Sequence, residues 1–134
     1  MIEILFRGKR KGNLCEWVEG YLFEYDSPKS SYILGELDFR ESIYDIWKCA
    51  EEVIPKTVGQ FTGLTDKNGK KIFEGDIVRY MKNDVMVVVW NNESAAFVGA
   101  YSAINFNYCA SLMNGHMYLE VIGNIHDNPE LLEG

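Results

Sequence analysis

The chain is short of cations, paired cysteines and prolines, and each shortage removes a class of explanation. Thirteen Lys and Arg stand against twenty Asp and Glu, a formal net charge of −7. A protein that coats nucleic acid regardless of sequence needs the opposite balance, because that mode rests on neutralising many phosphates; only a local basic patch remains compatible with it. Cys15, Cys49 and Cys109 are odd in number and far apart, which excludes a paired framework or a CxxC-type zinc or redox motif and reads as reduced thiols. No stretch approaches the roughly eighteen apolar residues of a membrane span, and the apolar part of MIEILFRGKR is too short for a signal peptide. The expectation is a cytoplasmic protein with no membrane association. There are two histidines and no nucleophile elbow beside them, so no enzyme and no cofactor are expected.

Proline is also scarce, with three against twelve Gly, and aromatics make up 13% of the 134 residues. That balance favours β-structure over a helical bundle. At this length a chain buries roughly two thirds of the surface its unfolded form exposes, so neither disulfides nor a metal is needed to hold a core. One domain, or two very small subdomains sharing a core, fits the size.

The stretch from Thr57 to Val78, TVGQFTGLTDKNGKKIFEGDIV, organises the rest. Asn68-Gly69 accepts the positive φ angles of a type I′ turn and predicts a two-residue hairpin tip. Glu74-Gly75-Asp76 predicts a sharp bend before the β-branched run Ile77 to Met81. Upstream, Ile2 to Phe6 reads as a short strand and Arg7 to Asn13 as a solvated basic hairpin loop. Leu14 to Tyr25 alternates as a strand, with Trp17, Glu19 and Tyr21 on one face and Val18, Gly20 and Leu22 on the other. A turn at Asp26 to Ser30 then leads to a return strand at Tyr32 to Leu34. Glu41 to Ile54 fits both a helical stripe and a strand; a strand over its first half is the reading adopted, with Ile54 extended before Pro55.

Downstream, Val85 to Trp90 predicts a strand covered on both faces, and Ala95 to Tyr101 another, with Gly99 marking a bulge or tight bend. Ser102 to Ser111 is poorly patterned. Asn114-Gly115 predicts a turn, His116 to Ile122 a strand continued after a kink by Gly123 to His126, and Asn128-Pro129 a capped helical turn carrying Leu131 and Leu132. The fold expected is mainly β. An N-terminal β-hairpin region, residues 1–56, packs with a C-terminal SH3-like small barrel, residues 57–134, that ends in the short helical turn.

Three sets of residues carry a resemblance. They are Val58 to Leu64 with Asp66 to Lys70, Ile72 to Val78, and Val121 to Ile125 with Asn128 to Leu132. Together with the opening Leu5-Phe6-Arg7 they resemble the YopX family of phage and prophage proteins. The resemblance implies a small, mainly β protein with an SH3-like C-terminal part, acting in a bacterial host, and supplies no catalytic residues. The chain departs from the family pattern after Phe6-Arg7, where basic residues replace the aromatic and acidic ones often found there.

Candidate chemistry is sparse. Asp66, Glu74 and Asp76 are brought near one another by two turns, as a hard-cation site would require, but each has a turn-forming role that needs no ligand, and no metal is expected. Phe61 between Gly59 and Gly63 is a candidate stacking residue, with a core position as the plainer alternative. Trp17, Trp47 and Trp90 are expected in the core, one exposed tryptophan being the form a partner hot spot would take. Two functions remain. The first is a non-catalytic accessory protein that binds a phage or host protein, homo-oligomerisation being compatible with it. The alternative is a nucleic-acid-binding module using Arg7, Lys9, Arg10 and Lys11 with Lys67, Lys70 and Lys71, which requires the two basic loops to share a face.

Overall fold

Alternation of small or apolar with polar side chains sets the first sheet. The computed structural model describes residues 4–12, 16–26, 29–35, 50–81, 84–100, 109–111 and 116–132, and the chain divides into two units, Met1–Gln60 and Phe61–Gly134. In the first unit, β1 (Phe6–Lys9), β2 (Trp17–Asp26), β3 (Lys29–Leu34) and β4 (Ala50–Val53) lie in the order β4-β3-β2-β1. All pairs are antiparallel, with Lys9 opposite Trp17, Phe23 opposite Tyr32 and Ile33 opposite Glu51. Outside β1 run the first two residues of β5 (Gly59–Thr65), Gln60 opposite Phe6 and Gly59 opposite Arg7.

This sheet curls until its ends meet. Arg10, just past β1, bridges to Val53 of β4; the Ile54 N–H donates to the Lys9 carbonyl and the Lys11 N–H to the Glu52 carbonyl, both at 2.9 Å. The buried Thr57 hydroxyl, in a 3-10 turn at Pro55–Thr57, donates to the Ile54 carbonyl and accepts the Lys9 N–H. So tight a curl leaves no room at its inner positions. A Cβ on Gly20 would stand 1.8 Å from the Leu34 carbonyl oxygen, and one on Gly8 would stand 2.9 Å from Val53 Cγ2. Ile33 and Val53 fill the interior.

The basic run therefore differs from its expectation. Arg7 to Lys9 form β1 itself and Arg10 continues it, because the bridge to β4 extends the ladder into what reads in sequence as a loop. Of the strand predicted from Ile2 to Phe6, Ile2 and Glu3 lie outside the described residues, Ile4 and Leu5 are not in a strand, and Phe6 opens β1. Ile54 is extended as expected, φ −74° and ψ 118°, and Pro55–Thr57 form a 3-10 turn. The strand expected over the first half of Glu41 to Ile54 lies outside the described residues, as do Cys15, Cys49, Trp47 and the Asn114-Gly115 turn.

In the second unit β5 continues into a hairpin with β6 (Lys71–Phe73), Phe61 opposite Phe73 and Thr65 opposite Lys71. Among the described residues the remaining strands are β7 (Asp76–Tyr80), β8 (Asp84–Asn91), β9 (Ala96–Ala100), β10 (Cys109–Ser111) and β11 (Leu119–Asn124), ordered β10-β9-β8-β7-β11 and all antiparallel. Val78, Met86, Val88 and Leu119 make one apolar face, with Ile72 of β6 packed into it and Leu64, Tyr80, Phe97 and Val121 around it. Ile77, Val87 and Ala100, on the alternate positions, are buried as well. The centre of β8 is thus covered on both faces, as its apolar run predicts.

The mainly β expectation holds. The barrel does not close in the described residues: β10 and β11 stand at opposite ends of the five-strand order, and the pairings join only sequential neighbours apart from β11 with β7. Gly99 is not a bulge, since β8 and β9 stay in register through it; a Cβ there would lie 2.8 Å from Met86 Sδ, so glycine makes room for core packing. The irregularity falls instead between Val121 and Gly123. His116 to Tyr118 is a 3-10 turn before β11, and the expected C-terminal helical turn is a 3-10 turn at Pro129–Leu132. Among the described residues no helix is long and apolar enough to cross a membrane.

The curl generates a test. Gly20→Ala forces the β2–β3 backbone apart and is expected to cost at the upper end of the roughly 1–3 kcal/mol typical of overpacking. Gly12→Ala, which meets nothing within 4 Å, is expected to stay within about 0.5 kcal/mol. Chemical denaturation of both variants measures the difference, and equal midpoints would contradict the curled geometry.

Candidate functional site

The hairpin tip is built around one carboxylate. Asp66 is 5% exposed; its Oδ1 accepts the Asn68 and Lys70 N–H groups and its Oδ2 the Val121 N–H, all at 2.9 Å. Backbone bonds from Asp66 N to Lys70 O and from Gly69 N to Asp66 O close the turn, and the Lys67 N–H reaches the Leu119 carbonyl. Gly69 has φ +81°, but Asn68 is not in the left-handed region. The tip is therefore a four-residue turn ending on a left-handed glycine, not the two-residue type I′ turn expected, because the Asp66 side chain holds Lys67-Asn68 in the ordinary turn conformation. Burial pushes the Asp66 carboxyl up, but the three amides and the Lys70 charge outweigh it, leaving it below the usual range.

The second bend is tied in the same way. Gly75, φ +92°, donates its N–H to the Val88 carbonyl and accepts the Ile125 N–H, and Asp76 Oδ2 accepts the Phe73 N–H at 2.8 Å. Asp66 thus spends both oxygens on backbone amides, and Asp76 spends its Oδ2 on one. Among the described residues no three or more His, Cys, Asp or Glu side chains gather in a metal-ligating group. His116 and His126 are both half-buried. His116 Nδ1 lies 2.8 Å from the Thr65 carbonyl, which only accepts, so that nitrogen carries the proton.

The candidate cations fall in different units. In the first, the Arg7 guanidinium lies 4.7 Å and the Lys9 ammonium 5.7 Å from the Trp17 ring centre. Arg10 pairs with Glu16 and, at 2.9 Å, with Glu51, and Lys11 pairs with Glu52 at 3.0 Å. Hydrogen bonding to Glu16 and the Glu51 charge raise the already high Arg10 pKa. Arg10, Lys11, Gly12, Glu51 and Glu52 line a shallow depression of about 510 Å³ with charges of both signs. In the second unit Lys67 and Arg79 share Glu120, at 3.6 and 2.8 Å; the Arg79 hydrogen bond, opposed by partial burial and helped by Lys67, depresses the Glu120 pKa. The Lys70 charge faces Asp66, and the Lys71 ammonium lies 5.7 Å from the Phe61 ring. Phe61 itself is buried against Phe73, ring centres 5.6 Å apart, the core position rather than an exposed stacking one.

Trp90 is where the core expectation fails. It is 44% exposed, stands edge-on to Phe97 at 5.0 Å, and donates its indole N–H to Asn92 Oδ1 at 2.7 Å. Its place at the end of β8, next to the Asn91-Asn92 turn, puts it at the margin of the apolar face. Strand-end position beside two asparagines is the sequence signal that marks it. Glu120 carries no such signal, since its place opposite Arg79 in the β7–β11 ladder depends on a pairing that sequence does not reveal.

A family model described as YopX protein matches residues 5–133. The chain belongs to the YopX family. Protein EF1440 from Enterococcus faecalis, known from a crystal structure, is 24% identical over 99% of this chain and 100% of its own, with a TM-score of 0.54, a likeness of fold. A comparison with curated proteins finds no match. The YopX resemblance has a physical basis in this geometry. Its central segment, Asp66 to Lys70, and its C-terminal segment, starting at Val121, are far apart in sequence yet joined through one carboxylate.

Asp66 makes the YopX hairpin acid-sensitive. A carboxyl depressed in the folded state stabilises fully above its unfolded pKa, about 3.9, and loses that contribution as pH falls through the folded value. The melting temperature is expected to drop below about pH 4 and that drop to shrink in Asp66→Asn. Asp66→Ala is expected to cost about 2–4 kcal/mol at neutral pH, since it strips a charged acceptor from three amides. Denaturation across pH 2–7 checks both; an acid limb unchanged in Asp66→Asn would remove Asp66 as its source.

Proposed function

We propose that this YopX-family chain is a non-catalytic phage or prophage accessory protein that works in the bacterial cytoplasm by binding a protein of the phage or its host. The observation that carries the reading is Trp90, 44% exposed on the margin of a β-sheet and held in place by Phe97 and Asn92. A fixed aromatic ring offers large apolar area with little side-chain entropy left to lose, which is the chemistry of a binding hot spot. The net charge of −7 suits a basic partner and speeds its encounter. The second unit is taken as a relative of SH3-like barrels in which hairpin β5–β6 covers one face of an open sheet, an architecture that hosts protein and nucleic-acid binders alike.

Nucleic-acid binding is the less favoured reading, because Arg10, Lys11 and Lys67 already face carboxylates, and phosphate would have to displace them. Capture of the tagged full chain from a lysogenic cell lysate, with and without nuclease, separates the two. The expected result is a nuclease-resistant protein partner whose retention falls at least about tenfold in Trp90→Ala, a loss of hot-spot size, while the variant melts close to the unsubstituted chain. A partner released by nuclease, and lost on replacing Arg7, Lys9, Arg10 and Lys11 with Ala, would overturn the reading in favour of nucleic acid.

A further inference from the structure

Asn-Gly is a chemically reactive pair as well as a turn former. Glycine carries no Cβ, so its backbone nitrogen can approach the preceding side-chain amide without obstruction. Attack of the Gly69 nitrogen on the Asn68 side-chain carbonyl carbon, with loss of the N–H proton to solvent base, would close a five-membered succinimide and expel ammonia. Water then opens either ring carbonyl, giving aspartate or isoaspartate. The balance is one side-chain amide and one water converted to one carboxylate and one ammonium ion, with no oxidant, reductant or cofactor. Both residues are exposed, so water and base have access.

The turn opposes this reaction at each atom involved. The Gly69 N–H is held at 3.0 Å by the Asp66 carbonyl, so removing its proton breaks a hydrogen bond. The Asn68 and Lys70 N–H groups on either side are fixed to Asp66 Oδ1 at 2.9 Å, which stops the backbone from rotating toward the side-chain carbonyl. The Asp66 carboxylate also places a negative charge beside the nitrogen that must become anionic, and like charge disfavours that ionisation. Asp66 is itself anchored 55 residues away through Val121, so docking of the tip on β11 holds the carboxylate where it closes the turn.

We propose that Asn68 is a conformationally gated deamidation site, closed by Asp66 in the folded chain and reactive whenever the hairpin tip detaches from β11. The product is self-reinforcing. Isoaspartate adds a methylene to the backbone at residue 68, so the spacing that lets one carboxylate oxygen serve both Asn68 and Lys70 is lost and the tip does not re-dock.

The test is incubation of the full chain at pH 8.5 and 37 °C, native and in concentrated urea, with peptide mass spectrometry and enzymatic isoaspartate labelling. The peptide containing Asn68 is resolved from the one containing the Asn114-Gly115 pair, which lies outside the described residues. The expected result is slow reaction at Asn68 in the native chain and at least about tenfold faster reaction in urea. Asp66→Ala without denaturant is also expected to react at least about tenfold faster, because each charged hydrogen bond removed shifts a local opening equilibrium by about that factor or more. Circular dichroism establishes that the variant is folded at 37 °C; if it is not, the native-to-urea ratio of the unsubstituted chain decides alone. Equal rates in the native chain and in urea, or a folded Asp66→Ala that reacts no faster than the unsubstituted chain, would overturn the proposal.

Discussion

Three backbone amides converging on the Asp66 carboxylate are the contact on which the second unit depends. Two of them belong to the same turn and fix its shape; the third comes from Val121 and fixes where the turn sits. A buried carboxylate is costly unless its oxygens are occupied, and here its oxygens accept bonds that both sides of the contact would otherwise leave unmet. The Lys67-to-Leu119 backbone bond and the Lys67–Glu120–Arg79 charges flank it, the charges being exposed enough to add specificity of register more than stability. Beneath them Ile72 enters the apolar face formed by Val78, Met86, Val88 and Leu119, so the polar contact and the apolar burial favour the same position of the hairpin.

The first unit reaches its form by a different route. Among its described residues its sheet has no comparable polar centre; there its two ends are held together by the bridge at Arg10, two backbone bonds, the Thr57 hydroxyl and exposed ion pairs. The alternating carboxylates of Glu51 and Glu52 match Arg10 and Lys11 across that junction. A basic segment in an acidic chain thereby acquires a structural use, and the sequence feature most suggestive of nucleic acid becomes part of how the strand ends meet.

Much of this was legible in the residues, and the parts that were not share a cause. The hairpin at Asp66 to Lys70, the bend at Gly75, strands β2, β3, β7, β8 and β9 and the final helical turn follow from local alternation, β-branched runs and turn chemistry, which need no knowledge of distant partners. Asn-Gly points locally to a two-residue turn, whereas the Asp66 side chain, by taking the Asn68 and Lys70 amides, selects the four-residue one. The extension of the β1 ladder to Arg10 depends on a β4 partner, Val53, more than forty residues away, and the role of Gly99 on Met86 across a strand pair. Each is a tertiary fact with no local signature, and the same holds for Glu120, whereas the exposure of Trp90 follows from its place at a strand end beside two asparagines. Phe61 and the charged residues were identifiable as candidates; that Phe61 is core and that several cations are matched by carboxylates could be seen only once the strands were paired.

The joining of the Gly75 bend to Val88 on one side and Ile125 on the other has a bearing on how the chain is made. Hairpin β5–β6 and the β7–β8–β9 meander consist of neighbours in sequence and can form as they are synthesised, since such contacts cost little loop entropy. The second oxygen of Asp66 must wait for β11, the last strand to leave the ribosome among those described, and the carbonyl of Gly75 for Ile125 just after it. Until then the apolar face lacks Leu119 and Val121, and the edge of β7 is unpaired. During translation the second unit is therefore a sheet with an open seam, and its C-terminal strand acts as the closing step of folding, the stage at which such a nascent chain is most open to pairing with the wrong neighbour.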